Sequence, residues 1–191
     1  MKIEKRQIAL TTTLLFLVIT SFLVLIFATT PFVYKLNDSS LNQSLENEAI
    51  RDLNLYFLYV DDLDSKIWSE TEIKHMEDVR QIYLVLFLVL ILSSIILFRY
   101  SSKELIRKSS IPLLITFLSL LIIIPFFIFF WDKVFHPLLF SNRHWVFERS
   151  EISNYLFPYS FFRNILILII LIGSFVSIGL RVFANKTKSV Q

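Results

Sequence analysis

Charged residues leave four long gaps in the chain. Residues 8–30, 82–98, 111–131 and 164–180 carry no charged side chain and are dominated by Leu, Ile, Val and Phe. They measure 23, 17, 21 and 17 residues. A helix that crosses the hydrocarbon core of a bilayer needs about 20 mostly apolar residues, with a range of roughly 17–25. Each run therefore predicts a membrane-spanning helix, and the two shorter ones lengthen through Val79, Phe161, Phe162 and Phe183. The first run follows the hexapeptide MKIEKR at 1–6. It is longer than the roughly 7–15 apolar residues of a signal-peptide core, and no A-x-A cleavage pattern follows, so it reads as an uncleaved anchor.

Basic residues orient the spans. Ten of the 19 Lys and Arg residues lie in the N-terminal tail, the 99–110 connection and the C-terminal end from Arg181 onward, against only Glu4 and Glu104. The 31–81 segment carries 11 acids and 5 bases, and 132–163 is nearly balanced. The positive-inside rule places both termini and the 99–110 loop in the cytoplasm. The expected organisation is a cytoplasmic tail and first span over 1–30, an outer loop over 31–81 and a second span over 82–98. A cytoplasmic loop over 99–110, a third span over 111–131, an outer loop over 132–163, a fourth span over 164–183 and a tail over 184–191 complete it. The formal net charge of +3 is then a topogenic signal and gives no reason to expect nucleic-acid binding.

Within 31–81, Leu41, Leu45, Ala49, Leu53, Tyr56 and Val60 recur at spacings of three to four, which predicts an amphipathic helix. Ser40 with Gln43 offers a capping box at its start, and the acidic stretch 60–65 ends it. A second capping box, Ser69 with Glu72, opens a helix that nothing interrupts before Phe98, so the second span is expected to begin near Glu70. His75 then stands roughly 10 Å of helix above Ile82. The 132–163 loop is aromatic. Pro137 and Pro158 push the residue before each toward extended geometry, and a short strand over 145–147 is expected. The fold class is a mainly α membrane protein: four transmembrane helices with a small extracellular cap of short helices and short strands.

Composition then narrows the chemistry. With 55% hydrophobic and 18% charged residues, two Gly and no Cys, the chain excludes disorder and Gly-rich phosphate loops. The lack of Cys also excludes a disulfide scaffold, a thiolate zinc site and a cysteine nucleophile. Three histidines are present, His75, His136 and His144, and none lies inside an apolar run. Glu72 and Asp78 lie three residues either side of His75 on one helix. Either carboxylate could hold one ring nitrogen and leave the other free as a base. Metal binding by the histidines with Glu72, Asp78 and Asp132 has no motif behind it, and no G-x-S-x-G nucleophile signature occurs. Ser141 and Ser160 are not placed near a base by any pattern.

Two segments carry a resemblance. SETEIKHMEDV at 69–79 resembles the acidic helix start with H-M-x-D-V of the bacterial lipoprotein intramolecular transacylases. FHPLLFSNRHW at 135–145, followed by LFPYSFF at 156–162, is similar to that family's F-H-x-x-x-F-x-N-x-x-W and later P-x-x-F-F. The chain departs from the family at Arg143, where an acidic residue is frequent, and at Glu148 and Arg149, where Asp-Pro is frequent.

The resemblance implies a four-helix membrane base with an extracellular cap and two catalytic histidines, mapped onto His75 and His136. It implies transfer of the sn-2 acyl chain of a diacylglyceryl-cysteine lipoprotein to the cysteine's own α-amino group. That chemistry calls for no cofactor, no metal and no enzyme nucleophile, because donor ester and acceptor amine share one molecule. The partners are the diacylated lipoprotein and the bilayer. Glu72, Asp78, Asn142 and Tyr83 are candidate supporting residues, with Asn142, Arg143 or Tyr83 as donors to an oxyanion. Phe135, Phe140, Trp145, Phe161 and Phe162 are the candidate acyl-chain pocket. The alternatives are a non-enzymatic membrane sensor or accessory protein with an extracellular binding domain, and a metal-dependent membrane hydrolase.

Overall fold

The computed structural model describes residues 2–34 and 41–186. It divides into two compact units, one built from Met1–Val24, Val85–Pro125 and Leu166–Gln191, the other from Leu25–Leu84 and Phe126–Ile165. The helices are α1 (Lys2–Thr29), α2 (Pro31–Tyr34), α3 (Gln43–Phe57), α4 (Glu70–Tyr100), α5 (Lys103–Ser119), α6 (Phe127–Phe130), α7 (His136–Leu139), α8 (Ile152–Leu156) and α9 (Tyr159–Lys186). Four helical stretches, Glu4–Thr29, Glu70–Tyr100, Lys103–Leu139 and Tyr159–Asn185, are long and apolar enough to cross a membrane. Only 6% of the most apolar window of Glu70–Tyr100 is buried within the protein. A surface that apolar and that bare suits contact with lipid chains.

In the first unit, small residues let helices approach. Phe117 is fully buried, its ring 5.1 Å from that of Phe16. A Cβ on Gly173 would collide with the ring of Phe117. Gly173 is there because nothing larger fits. Gly173→Ala is expected to cost about 1–3 kcal/mol, typical of overpacking a tight core, and to lower the Tm of the detergent-solubilised protein. Ser102 caps α5 by accepting from the Leu105 amide at 3.2 Å, and Ser109, fully buried, donates to the Ile8 carbonyl at 3.2 Å.

The second unit holds its own core around Trp68, Leu53, Ala49, Leu156 and Met76. Helix α3 turns Ala49, Leu53 and Tyr56 into that core, and Asn42 caps it by accepting from the Ser44 amide at 3.0 Å. The expected Ser40 cap lies outside the described residues. The helix ends at Phe57, earlier than the acidic stretch suggested, so Val60 is not a core residue but 68% exposed. Tyr59 is the cause, with φ at +59°. Its amide donates to the Tyr56 carbonyl and that of Val60 to Leu55, both at 3.0 Å, closing the helix in the manner usually reserved for glycine. The Arg80 guanidinium lies over the rings of Tyr56 and Tyr59, at 4.3 and 3.8 Å, and offsets the backbone cost. Asp52 ties the following loop down, accepting from the Trp68 indole at 2.8 Å and the Asp64 amide at 3.0 Å.

Helix α4 begins at Glu70 with both halves of its capping box made: the Ser69 amide donates to Glu72 Oε2 at 2.8 Å and the Glu72 amide to Ser69 Oγ at 3.2 Å. The Lys103–Leu139 stretch is not uniform. It tightens to a 3₁₀ helix over Leu120–Phe126, which contains Pro125, and widens to one π-helical turn over Trp131–Phe135. Pro137 therefore does not push its predecessor into extended geometry as expected. His136 stays helical at φ −64° and ψ −48°, at the end of the wide turn.

No strand forms among the described residues, and the one expected over 145–147 is absent. Local hydrogen bonds hold that segment instead. The His144 amide donates to Asn142 Oδ1 at 3.1 Å and the Val146 amide to the Arg143 carbonyl at 3.1 Å.

Candidate active site

The second unit brings His75 and His136 together from separate parts of the chain. Their ring centroids are 6.2 Å apart, and each residue is only 7% exposed. Each ring nitrogen lies only about 1 Å from its centroid, so no pair of nitrogens comes within the roughly 3 Å of a direct hydrogen bond. The separation suits two rings that touch one small reacting group. Both residues fall outside the uncharged apolar runs: six of the eleven residues from 70 to 80 are charged, and Asp132 and Lys133 precede His136.

Aromatic rings enclose the pair. Phe140 stands 4.9 Å from His75 and 5.6 Å from His136, and Phe147 is 5.3 Å from His75. Trp145 stacks on His136 at 4.6 Å, while Trp131 and Phe135 meet it edge-on at 4.8 and 5.7 Å. Phe162 in turn stacks on Trp131 at 4.2 Å. Such surroundings disfavour charge. Burial, helped by repulsion from the neighbouring His136, pushes His75 down to about 4, against the pull of Asp78. Burial also lowers His136, opposed by its hydrogen bond to the Trp131 carbonyl. Both imidazoles are therefore neutral at neutral pH.

The expected roles of the carboxylates are corrected. Neither Glu72 nor Asp78 holds a ring nitrogen of His75, whose Nδ1 is buried without a hydrogen-bond partner. Glu72, 1% exposed, spends its carboxylate on backbone amides, that of Ser69 at 2.8 Å and that of Ser153 at 2.7 Å. It latches the first turn of α8 to the start of α4, and Ser69 Oγ adds a hydrogen bond to Glu151 just before α8. Asp78 instead accepts from Asn142 Nδ2 at 2.8 Å. The Asn142 carbonyl accepts from the Trp145 indole at 3.1 Å, and Trp145 lies on His136. The helix that carries His75 thus steadies the ring that supports His136.

Other expected residues sit elsewhere. Tyr83 packs on Phe57 at 4.7 Å, eight residues or roughly 12 Å of helix beyond His75. Phe161 belongs to the core, stacked on Tyr34 at 5.9 Å. Arg143 and Ser141 are exposed, and His144 lies 3.8 Å from Asp78. Sequence reasoning missed Phe147, which no spacing singles out, and Trp131, which reaches His136 only because a π turn joins them. Among the described residues, no three His, Asp or Glu side chains are grouped to hold a metal ion.

A family model for the lipoprotein intramolecular transacylase Lit matches residues 7–162. The chain belongs to the Lit family. It is an acyltransferase of the membrane, with lipoproteins as the substrate class. Its fold is similar to that of the integral membrane Lit of Bacillus cereus, with a TM-score of 0.75 at 18% identity over 100% of this chain and 99% of that one. Two mutant structures of the Bacillus cereus protein are also similar at 18% identity. One has a histidine replaced by arginine (TM-score 0.71, covering 99% of this chain and 95% of that one), the other by alanine (0.70, 100% and 97%). No curated protein matches the sequence.

Proposed function

We propose that the chain moves the sn-2 acyl group of a diacylglyceryl-cysteine lipoprotein onto that cysteine's own α-amino group, with His75 and His136 as the acid–base pair. Family membership supports the reaction class. The observation that carries the assignment is the pair of buried imidazoles, 6.2 Å apart inside an aromatic box. The basic tails and 99–110 loop support cytoplasmic termini, with the histidines on the outer side.

The electrostatics specify which proton the histidines handle. An α-amino group has a pKa of about 7.7–8.0. An imidazole near 4 is too weak a base to strip that ammonium, at about 1.4 kcal/mol for each unit of mismatch. The amine therefore enters already neutral and attacks the ester carbonyl. Its nitrogen becomes strongly acidic only once it is bonded in the tetrahedral adduct, and a neutral imidazole then takes its proton. The same proton goes to the sn-2 oxygen as the C–O bond breaks, so an amide and a free hydroxyl form with no net change in the enzyme. Holding amine and ester at attack distance within one lipid is the larger contribution of the site.

Single-turnover rates on a model lipopeptide are accordingly expected to rise with unit slope up to about pH 8, where the substrate amine loses its proton. The enzyme adds a further acid limb only well below the ordinary histidine range, as the depressed values of both rings require. A limb near pH 6.5 that disappears in the His75→Gln variant would contradict this picture.

Asp78 and Asn142 should act through Trp145 rather than through His75. Asp78→Ala and Asn142→Ala are each expected to lower kcat about tenfold, the equivalent of one hydrogen bond at roughly 1–1.5 kcal/mol. The double variant should be no slower than either single one. Multiplying effects in transacylation assays would show that the two residues do separate jobs.

The reaction itself is tested by tandem mass spectrometry of a model lipoprotein's N-terminal peptide, produced in membranes with and without this chain. One acyl group should move from glycerol to nitrogen at constant mass. An unaltered peptide would overturn the proposal and favour a non-enzymatic role.

A further inference from the structure

The wide turn before His136 accounts for more than a local irregularity. In an α-helix the Trp131 carbonyl would accept from the amide of Phe135. Here it accepts from the His136 amide, one residue later, and His136 Nδ1 lies 2.9 Å from the same oxygen. A carbonyl oxygen has two lone pairs and no proton to give, so both contacts can be made only if Nδ1 carries the hydrogen. Pro137 explains why the helix widens at this point. A proline inside an α-helix drives its ring against the carbonyl four residues earlier, here Lys133. A single π turn, a feature frequent at functional sites, removes that clash while His136 remains helical.

We propose that the π-helical turn Trp131–Phe135 together with Pro137 is a positioning device that locks His136 in the tautomer bearing its proton on Nδ1, so that Nε2 carries the lone pair offered to the substrate. The ring is further held flat by Trp145 at 4.6 Å and edge-on by Trp131 at 4.8 Å, so neither nitrogen can exchange places by a ring flip without unstacking. Pro137 makes no catalytic contact of its own, and its side chain is exposed. It acts through the turn. The catalytic meaning of the lock rests on the function proposed above, but the lock itself is read on the protein without substrate, so the two can fail separately.

The test is nitrogen–proton multiple-bond NMR of the full chain in nanodiscs, with ¹⁵N-labelled histidine and His136 assigned by its loss in His136→Gln. At pH 7, Nδ1 of His136 should show the shift of a protonated, pyrrole-like nitrogen and Nε2 that of an unprotonated one. The reverse pattern, or an average of the two, overturns the proposal even if no variant is made. In Pro137→Ala the two shifts should move toward each other, with kcat about tenfold lower and KM unchanged. Leu138→Ala, exposed on the same short helix, should leave both shifts as they are. An unaltered pattern in Pro137→Ala, or an equal change in Leu138→Ala, would remove the assigned role of the proline.

Discussion

His75→Ala and His136→Ala are each expected to reduce transacylation by about 10²–10⁴-fold, the range that positioned proton transfer supplies. The substitutions should leave the fold intact. Each ring is held mainly by aromatic contacts, and the hydrogen-bonded latches of the unit run through Glu72, Asp52 and Asp78 instead. Each truncation leaves a cavity among the aromatic rings and lowers Tm, so rates are compared on folded protein below the Tm of each variant, with His75→Gln and His136→Gln as the less disruptive pair that should lose the same rate. His144→Ala provides the contrast: its imidazole sits beside Asp78 rather than in the box, and its effect is expected to stay within a few fold.

Glu72→Ala is expected to have the largest effect on the second unit's stability. The carboxylate is almost wholly buried and accepts from two backbone amides, Ser69 at the start of α4 and Ser153 in the first turn of α8. Removing it leaves two donors without partners, at about 1–3 kcal/mol each, so a loss of roughly 2–6 kcal/mol and a clearly lower Tm follow. Activity should fall as well, because the loop that carries Trp145 and Phe147 is released from the helix that carries His75. Glu72→Gln keeps one acceptor oxygen and should recover part of the stability. Thermal unfolding and hydrogen exchange at the Ser153 amide measure both outcomes. Equal stability of the two variants and the parent would deny the latch.

Much of this architecture was legible because helices announce themselves locally. An uncharged run of sufficient length needs no partner to be recognised, and the Ser69–Glu72 pair places the start of α4 from four residues. The amphipathic face of α3 was equally plain through Ala49, Leu53 and Tyr56. Its end was not, since a tyrosine with positive φ is held there by Arg80 from another helix. The histidines could be nominated from the family pattern, yet the partners that steady them could not. Asp78 is three residues from His75 along the helix, but its carboxylate answers to Asn142, 64 residues away. Glu72 likewise answers to Ser153, 81 residues away. Trp131 reaches His136 across a spacing of five that only a π turn brings into register. Spacing rules describe regular helices, and this site is built where the helix departs from regularity.

Whether the two imidazoles form one catalytic unit is the claim on which the rest depends, and a double-mutant cycle on single-turnover rate constants tests it most directly. If His75 and His136 serve the same proton in the same step, the His75→Ala, His136→Ala double variant should be about as slow as either single variant, as expected for groups that act together. If the two losses multiply in the double variant, or if either single variant keeps the parental rate, the paired-histidine account is wrong.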